Sequence, residues 1–186
     1  MSHTVINFLA YQISWFAAVL GGANGLPWAG VAVTAAAIGL HLALARSPGR
    51  EAVLILAITT IGALWESLMV VFGLLEYPSG MVLPWLAPAW IIAMWAGFAT
   101  TLTVSMRWLL GRWRLAALFG AIGGPLAFYA GMRLGAVSFP DPAVSLAVLA
   151  VGWALLMPLA AWIAVKVDAP GGGASGDIDF AASPTR

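Results

Sequence analysis

Residues 53–75 read VLILAITTIGALWESLMVVFGLL, a run in which Glu66 is the sole charged residue. At ~1.5 Å per residue, a helix of this length crosses the roughly 30 Å hydrocarbon core of a bilayer. The run does not alternate apolar with polar residues and is too long for a transmembrane strand, so it reads as helix. Composition agrees across the chain. Of 186 residues, 62% are apolar and 8% charged, whereas a soluble domain carries about 25% charged residues. So few charges cannot solvate a soluble surface.

Five similar runs, at roughly 5–22, 27–45, 85–106, 115–137 and 143–165, flank this one. They are separated by turn formers: Gly21 to Pro27, Arg46 to Arg50, Tyr77 to Gly80, Arg107 to Arg114, and Phe139 to Pro142. The expected fold is all-α, a polytopic membrane bundle of about six transmembrane helices in residues 1–166. Residues 167–186, with Pro170 and a Gly171-Gly172-Gly173 run, read as a disordered cytoplasmic tail.

Charge sets the orientation. Arg46 and Arg50 follow span two, Arg107, Arg112 and Arg114 follow span four, and Lys166 follows span six. The opposite connections carry no charge, Glu76 or Asp141. Short basic loops stay in the cytoplasm, so both termini are expected there. Span one is expected to be retained, because Met1 to Thr4 lack the basic start of a cleavable signal. The expected location is a bacterial-type inner membrane, crossed several times, with membrane lipid as the main partner.

Other classes drop out. Zero cysteines exclude disulfides and thiolate metal sites. A net charge of +1 makes nucleic acid no partner. There is no G-x-x-x-x-G-K phosphate loop. His41 has no second ligand at metal-binding spacing, Glu51 being ten residues on past a loop. No metal and no cofactor are expected, and the oligomeric state is left open.

Glu66 lies about 20 Å from the inner end of its span, where a carboxyl is costly and should face the bundle interior. Thr59, Gly62, Glu66, Gly73 and Tyr77 recur on one helical face. Arg133, the one basic residue expected on the far side, lies about 27 Å along span five, and Glu76 about 34 Å along span three. Arg133 is therefore expected to turn inward and pair with Glu66, or with an anionic headgroup beside it, beneath Tyr77 and Tyr129. Glu66 is a candidate acid or polar anchor, and Arg133 its candidate partner.

Ten tryptophans stand out. Trp28, Trp85, Trp108, Trp113 and Trp162 fall near span ends, where indole suits the headgroup boundary. Trp15, Trp65, Trp90, Trp95 and Trp153 lie deeper, either packing helices or walling a cavity for an apolar or cationic group. Trp65, Trp90 and Trp95, with Tyr77, Tyr129, Asn7 and Tyr11, form the candidate binding set for an apolar or lipid ligand. In span five, Gly120/Gly124 and Gly131/Gly135 have the spacing of close helix crossings, and Pro125 should kink the span.

Asn7-Phe8 with Tyr11-Gln12 and Trp15, Pro88-x-Trp90 with Trp95 and Phe98, and Gly123-Gly124-Pro125 with Tyr129 and Gly131 resemble an uncharacterised bacterial inner-membrane family, a domain of unknown function. The resemblance covers residues 5 to about 165 and implies a compact multi-span protein without an established activity. Glu66, Gly73, Tyr77, Pro84 and Trp95 are also similar in spacing, over about thirty residues, to membrane carotenoid cyclases and hydratases. That likeness implies alkene protonation by a buried acid among aromatics, although the clustered acids of such enzymes are missing.

Three functional classes follow: an enzyme or accessory acting on a lipid or isoprenoid within the bilayer, a small solute or lipid transporter, and a non-catalytic membrane scaffold. The first is favoured by deep indoles and one buried acid. For the topology, reporter fusions at Ser47 and Gly111 should report cytoplasm and one at Ser79 the opposite side. An outside signal from Ser47 would invert the arrangement.

Overall fold

The computed structural model describes residues 2–168. Six helices account for most of them: α1 His3–Ala23, α2 Pro27–Leu44, α3 Pro48–Val71, α4 Ala89–Leu102, α5 Trp113–Arg133 and α6 Pro142–Asp168. All but α4 are long and apolar enough to cross a membrane. The chain is thus a multi-pass membrane bundle. α6 continues to Asp168, past the boundary expected at Lys166. The rest of the expected tail lies outside the described residues.

The fourth span departs most from its expected length. In place of 85–106, its helix covers 89–102, about 21 Å of rise. Pro88 caps its start. At its end, Thr100 Oγ1 donates to Gly97 O at 2.7 Å and Thr101 Oγ1 to Phe98 O at 2.6 Å. Such hydroxyls compete for helix carbonyls and loosen the last turn. The Thr101 carbonyl then accepts from the amides of Val104 and Met106. The short helix is also the innermost, packed by α1, α2, α3 and α6, with Trp90, Trp95, Phe98 and Leu102 buried.

Helix α3 ends at Val71, earlier than its hydropathy implies, because Gly73 takes φ +64°. Leu74 N then bonds back to Met69 O, and Gly73 N to Val70 O. α5 ends the same way: Gly135 takes φ +82°, with Ala136 N on Gly131 O and Gly135 N on Met132 O. Three residues beyond each glycine, Glu76 and Ser138 exchange both backbone hydrogen bonds, at 3.0 and 2.8 Å. Gly73 and Tyr77, expected on the α3 face, therefore lie beyond the helix.

Polar ties gather at the two ends. At one end, Asn7 Nδ2 donates to Thr100 O and Asn7 Oδ1 accepts from Ser105. There too His41 Nε2 meets Glu51 Oε2 at 3.0 Å, and Arg107 meets Asp168 at 2.9 Å. The start of α1, the described end of α6 and the connections that carry Arg46, Arg50, Arg107 and Arg112 share this end. At the other, Ser79 Oγ donates to Gly22 O, Trp90 Nε1 to Ser79 O, and Ser145 Oγ to Leu74 O. The irregular segment between α3 and α4 is tied back by backbone bonds, Ala87 N on Ser67 Oγ and Ala89 N on Gly80 O.

Glycines meet indoles at four crossings. A Cβ added at Gly62 would strike Trp95, at Gly124 Trp153, at Gly152 Trp65, and at Gly22 Trp90. At Gly120 it would meet the Trp153 backbone carbonyl. Gly131, expected in the same row, has nothing closer than Val137 at 3.6 Å, so that half of the expectation fails. Gly120→Ala and Gly124→Ala should each lower stability by about 1–3 kcal/mol, whereas Gly131→Ala should be neutral. Thermal unfolding in detergent measures this, and equal losses at all three positions would contradict it.

Candidate functional site

α5 packs along α6, and a cavity of about 410 Å³ opens between α5 and α1. This volume falls in the range of small-molecule sites. Tyr11, Gln12, Trp15 and Phe16 of α1 form one wall, and Phe119, Gly123, Leu126 and Ala127 of α5 the other. The back is α4, with Ile91, Met94, Trp95 and Phe98, and Trp153 and Met157 of α6 complete it. Phe16 and Leu126 are exposed on the outer surface, so the cavity opens sideways, on the flank of the bundle. A smaller space of about 30 Å³, reached past Trp15, Met94 and Phe128, runs to Tyr77 and Trp90.

Glu66 stands behind this cavity. It is fully buried. Its Oε1 accepts from Trp95 Nε1 at 3.2 Å and its Oε2 from the Tyr77 hydroxyl at 3.3 Å. Trp95 walls the main cavity and Tyr77 the smaller one. The carboxyl thus fixes two aromatic walls without lining either space. Trp95 also stacks on Trp153, centroids 4.7 Å apart at 13°, and Phe98 meets both indoles edge-on.

Of the expected binding residues, Tyr11 and Trp95 line the main cavity, and Tyr77 and Trp90 the smaller one. Trp65 lies on the other side of the bundle, its ring against Gly152 and its Nε1 buried without a partner among the described residues. Asn7 is a structural tie between α1 and the end of α4. Tyr129 is exposed.

The expected Glu66–Arg133 pair does not form. Arg133 is exposed at the end of α5, and Tyr77 and Trp95 already serve the carboxyl. Depth along two helices gave a compatible height, but not which way each side chain points. Two features were missed. Gln12 faces the cavity, a signal available from its spacing of three residues from Trp15. His41 does have an acidic partner: the turn between α2 and α3 folds Glu51 back onto it, where Thr103 Oγ1 also donates to Glu51.

Residues 4–159 match a family described as a protein of unknown function, DUF2878. The chain belongs to that family. The match covers α1 to α5 and α6 through Leu159, and so includes every wall of the cavity as well as Glu66. No curated protein and no solved structure matches the chain.

Glu66→Leu would leave the Trp95 and Tyr77 donors without an acceptor, at about 1–3 kcal/mol for each group. Glu66→Gln keeps an accepting oxygen and should cost less than half as much. Arg133→Gln should stay within about 0.5 kcal/mol. Unfolding in lipid nanodiscs separates the three, and a large loss from Arg133→Gln would restore the ion pair.

Proposed function

We propose that this protein holds an apolar chain, either a lipid acyl chain or an isoprenoid, in the lateral cavity between α1 and α5. It would do so in an inner membrane, with both termini in the cytoplasm, as a binding or accessory component for chemistry on that chain. The observation that carries this reading is the cavity: sized for a small molecule, walled by aromatic and aliphatic side chains, and open on the flank of the bundle. The basic residues gathered at the end where α1 begins and α6 ends support the orientation.

Glu66 fits this reading as a positioning residue. Enclosed by Tyr77 and Trp95, it has no surface on the cavity. Direct protonation of a bound alkene by Glu66 would require those two aromatics to part. Binding with the aromatic walls held in place requires no such movement.

Gly123 offers a way to fill the cavity without disturbing the bundle. A Cβ there meets only Phe119, at 3.9 Å, and the residue lines the cavity. Protein purified in gentle detergent should carry a chain-bearing lipid identifiable by mass spectrometry, and Gly123→Phe should reduce its occupancy at least tenfold while leaving the unfolding temperature unchanged. Equal occupancy in a stable Gly123→Phe protein would place the lipid elsewhere.

A further inference from the structure

The two cavity walls differ chemically. The α5 wall is built from glycine, alanine, leucine and phenylalanine. The α1 wall carries a phenol, a primary amide and an indole, at Tyr11, Gln12 and Trp15. None of these three makes a side-chain hydrogen bond among the described residues, and none has its polar atoms shut away from the surface as unpartnered buried groups. Trp153, in the same cavity, has an indole N–H that is unpartnered but enclosed, so it offers a ligand nothing.

The amide at Gln12 is the most demanding of the three. It lies nine residues into α1 from His3, about 14 Å from the basic end and near the middle of a ~30 Å hydrocarbon core. A glutamine side chain is too short to reach the headgroups from there, unlike the long stems of lysine or arginine. Lipid tails supply no partner for it. An amide left bare at this depth is costly, and polar groups within transmembrane segments face cavities or neighbours that can answer them.

We infer that the cavity is selective for an apolar chain bearing a hydrogen-bond-accepting oxygen, a carbonyl or ester placed partway along it, and that Gln12 is the residue that recognises this oxygen. An accepting oxygen is the one ligand group that all three residues can answer. Gln12 Nε2, Tyr11 Oη and Trp15 Nε1 can each donate; Gln12 Oε1 and Tyr11 Oη can also accept, whereas the indole can only donate. The glycine-rich wall opposite leaves room for the chain itself. Shape alone would select poorly, because an apolar chain gains little on moving from lipid into an equally apolar cavity. The polar strip on α1 supplies the discrimination.

This inference rests on the cavity being a ligand site, and the test separates the two. Delipidated protein is titrated in detergent with heptadecan-9-one and, in parallel, with heptadecane, and occupancy is read by native mass spectrometry. The ketone should bind roughly three- to tenfold more tightly than the alkane, the range of one hydrogen bond within a membrane. Gln12→Leu should abolish that preference by lowering ketone affinity to that of the alkane, with an unfolding temperature no lower than that of the unaltered protein, since it removes a bare amide. Trp15→Phe should reduce the preference in part. Equal binding of both probes to the unaltered protein, or a preference that survives Gln12→Leu, would overturn the role of Gln12 and leave the cavity reading standing. Failure of both probes to bind would overturn both.

Discussion

A carboxyl removed from water must be met by donors, and the centre of this bundle is arranged around the two that meet Glu66. Trp95 comes from α4 and Tyr77 from the segment between α3 and α4. Holding both requires α4 to lie directly against α3, which Gly62 permits by presenting bare backbone to the Trp95 ring. It also requires the 72–88 segment to fold inward, which the Ser67 hydroxyl and the Glu76–Ser138 bridge secure. The short central helix and the folded connection before it are two parts of one solution for an acid at membrane depth.

From that contact the packing passes from helix to helix through flat rings laid on glycines. Trp95 of α4 lies on Gly62 of α3, Trp65 of α3 on Gly152 of α6, and Trp153 of α6 on Gly124 of α5. In lipid there is no hydrophobic drive between helices, so close fit and dispersion must hold them together. An indole on a glycine gives a large contact at short range. The Trp95–Trp153 stack joins the first and last of these contacts, so an arrangement begun at Glu66 reaches α5 through packing, with no polar side chain of α5 taking part.

Much of the fold could be read from the sequence because hydropathy in a membrane protein is a nearly local signal. Five of the six helices appear within a few residues of where their apolar runs lie. α4 was legible in position but not in length, since residues 103–106 are apolar enough to continue a helix while the threonines before them divert its carbonyls. The site was less legible. Glu66 announced itself as a buried charge, but its partners are an indole on another helix and a phenol on an irregular segment, and no periodicity relates them to it. Helical depth placed Arg133 at a matching height, yet it is exposed on the last turn of α5. Gln12 could be seen as an interruption of an apolar run, and only the structure gives it a cavity to face.

That cavity is a consequence of how α5 divides its glycines. Gly120 and Gly124 are committed to α6, where any side chain would strike Trp153. Gly123 lies on a neighbouring face and has almost nothing in front of it. Protein interiors are otherwise filled to crystal-like density, and a residue with a side chain at position 123 would be the simple way to close the gap. In its place the sequence puts a glycine and, one turn later, Ala127, while α1 opposite keeps an amide that no group among the described residues answers. An empty wall facing an unsatisfied one is costly as packing. It is economical as a site, because a chain with one accepting oxygen would fill the space and satisfy the amide together.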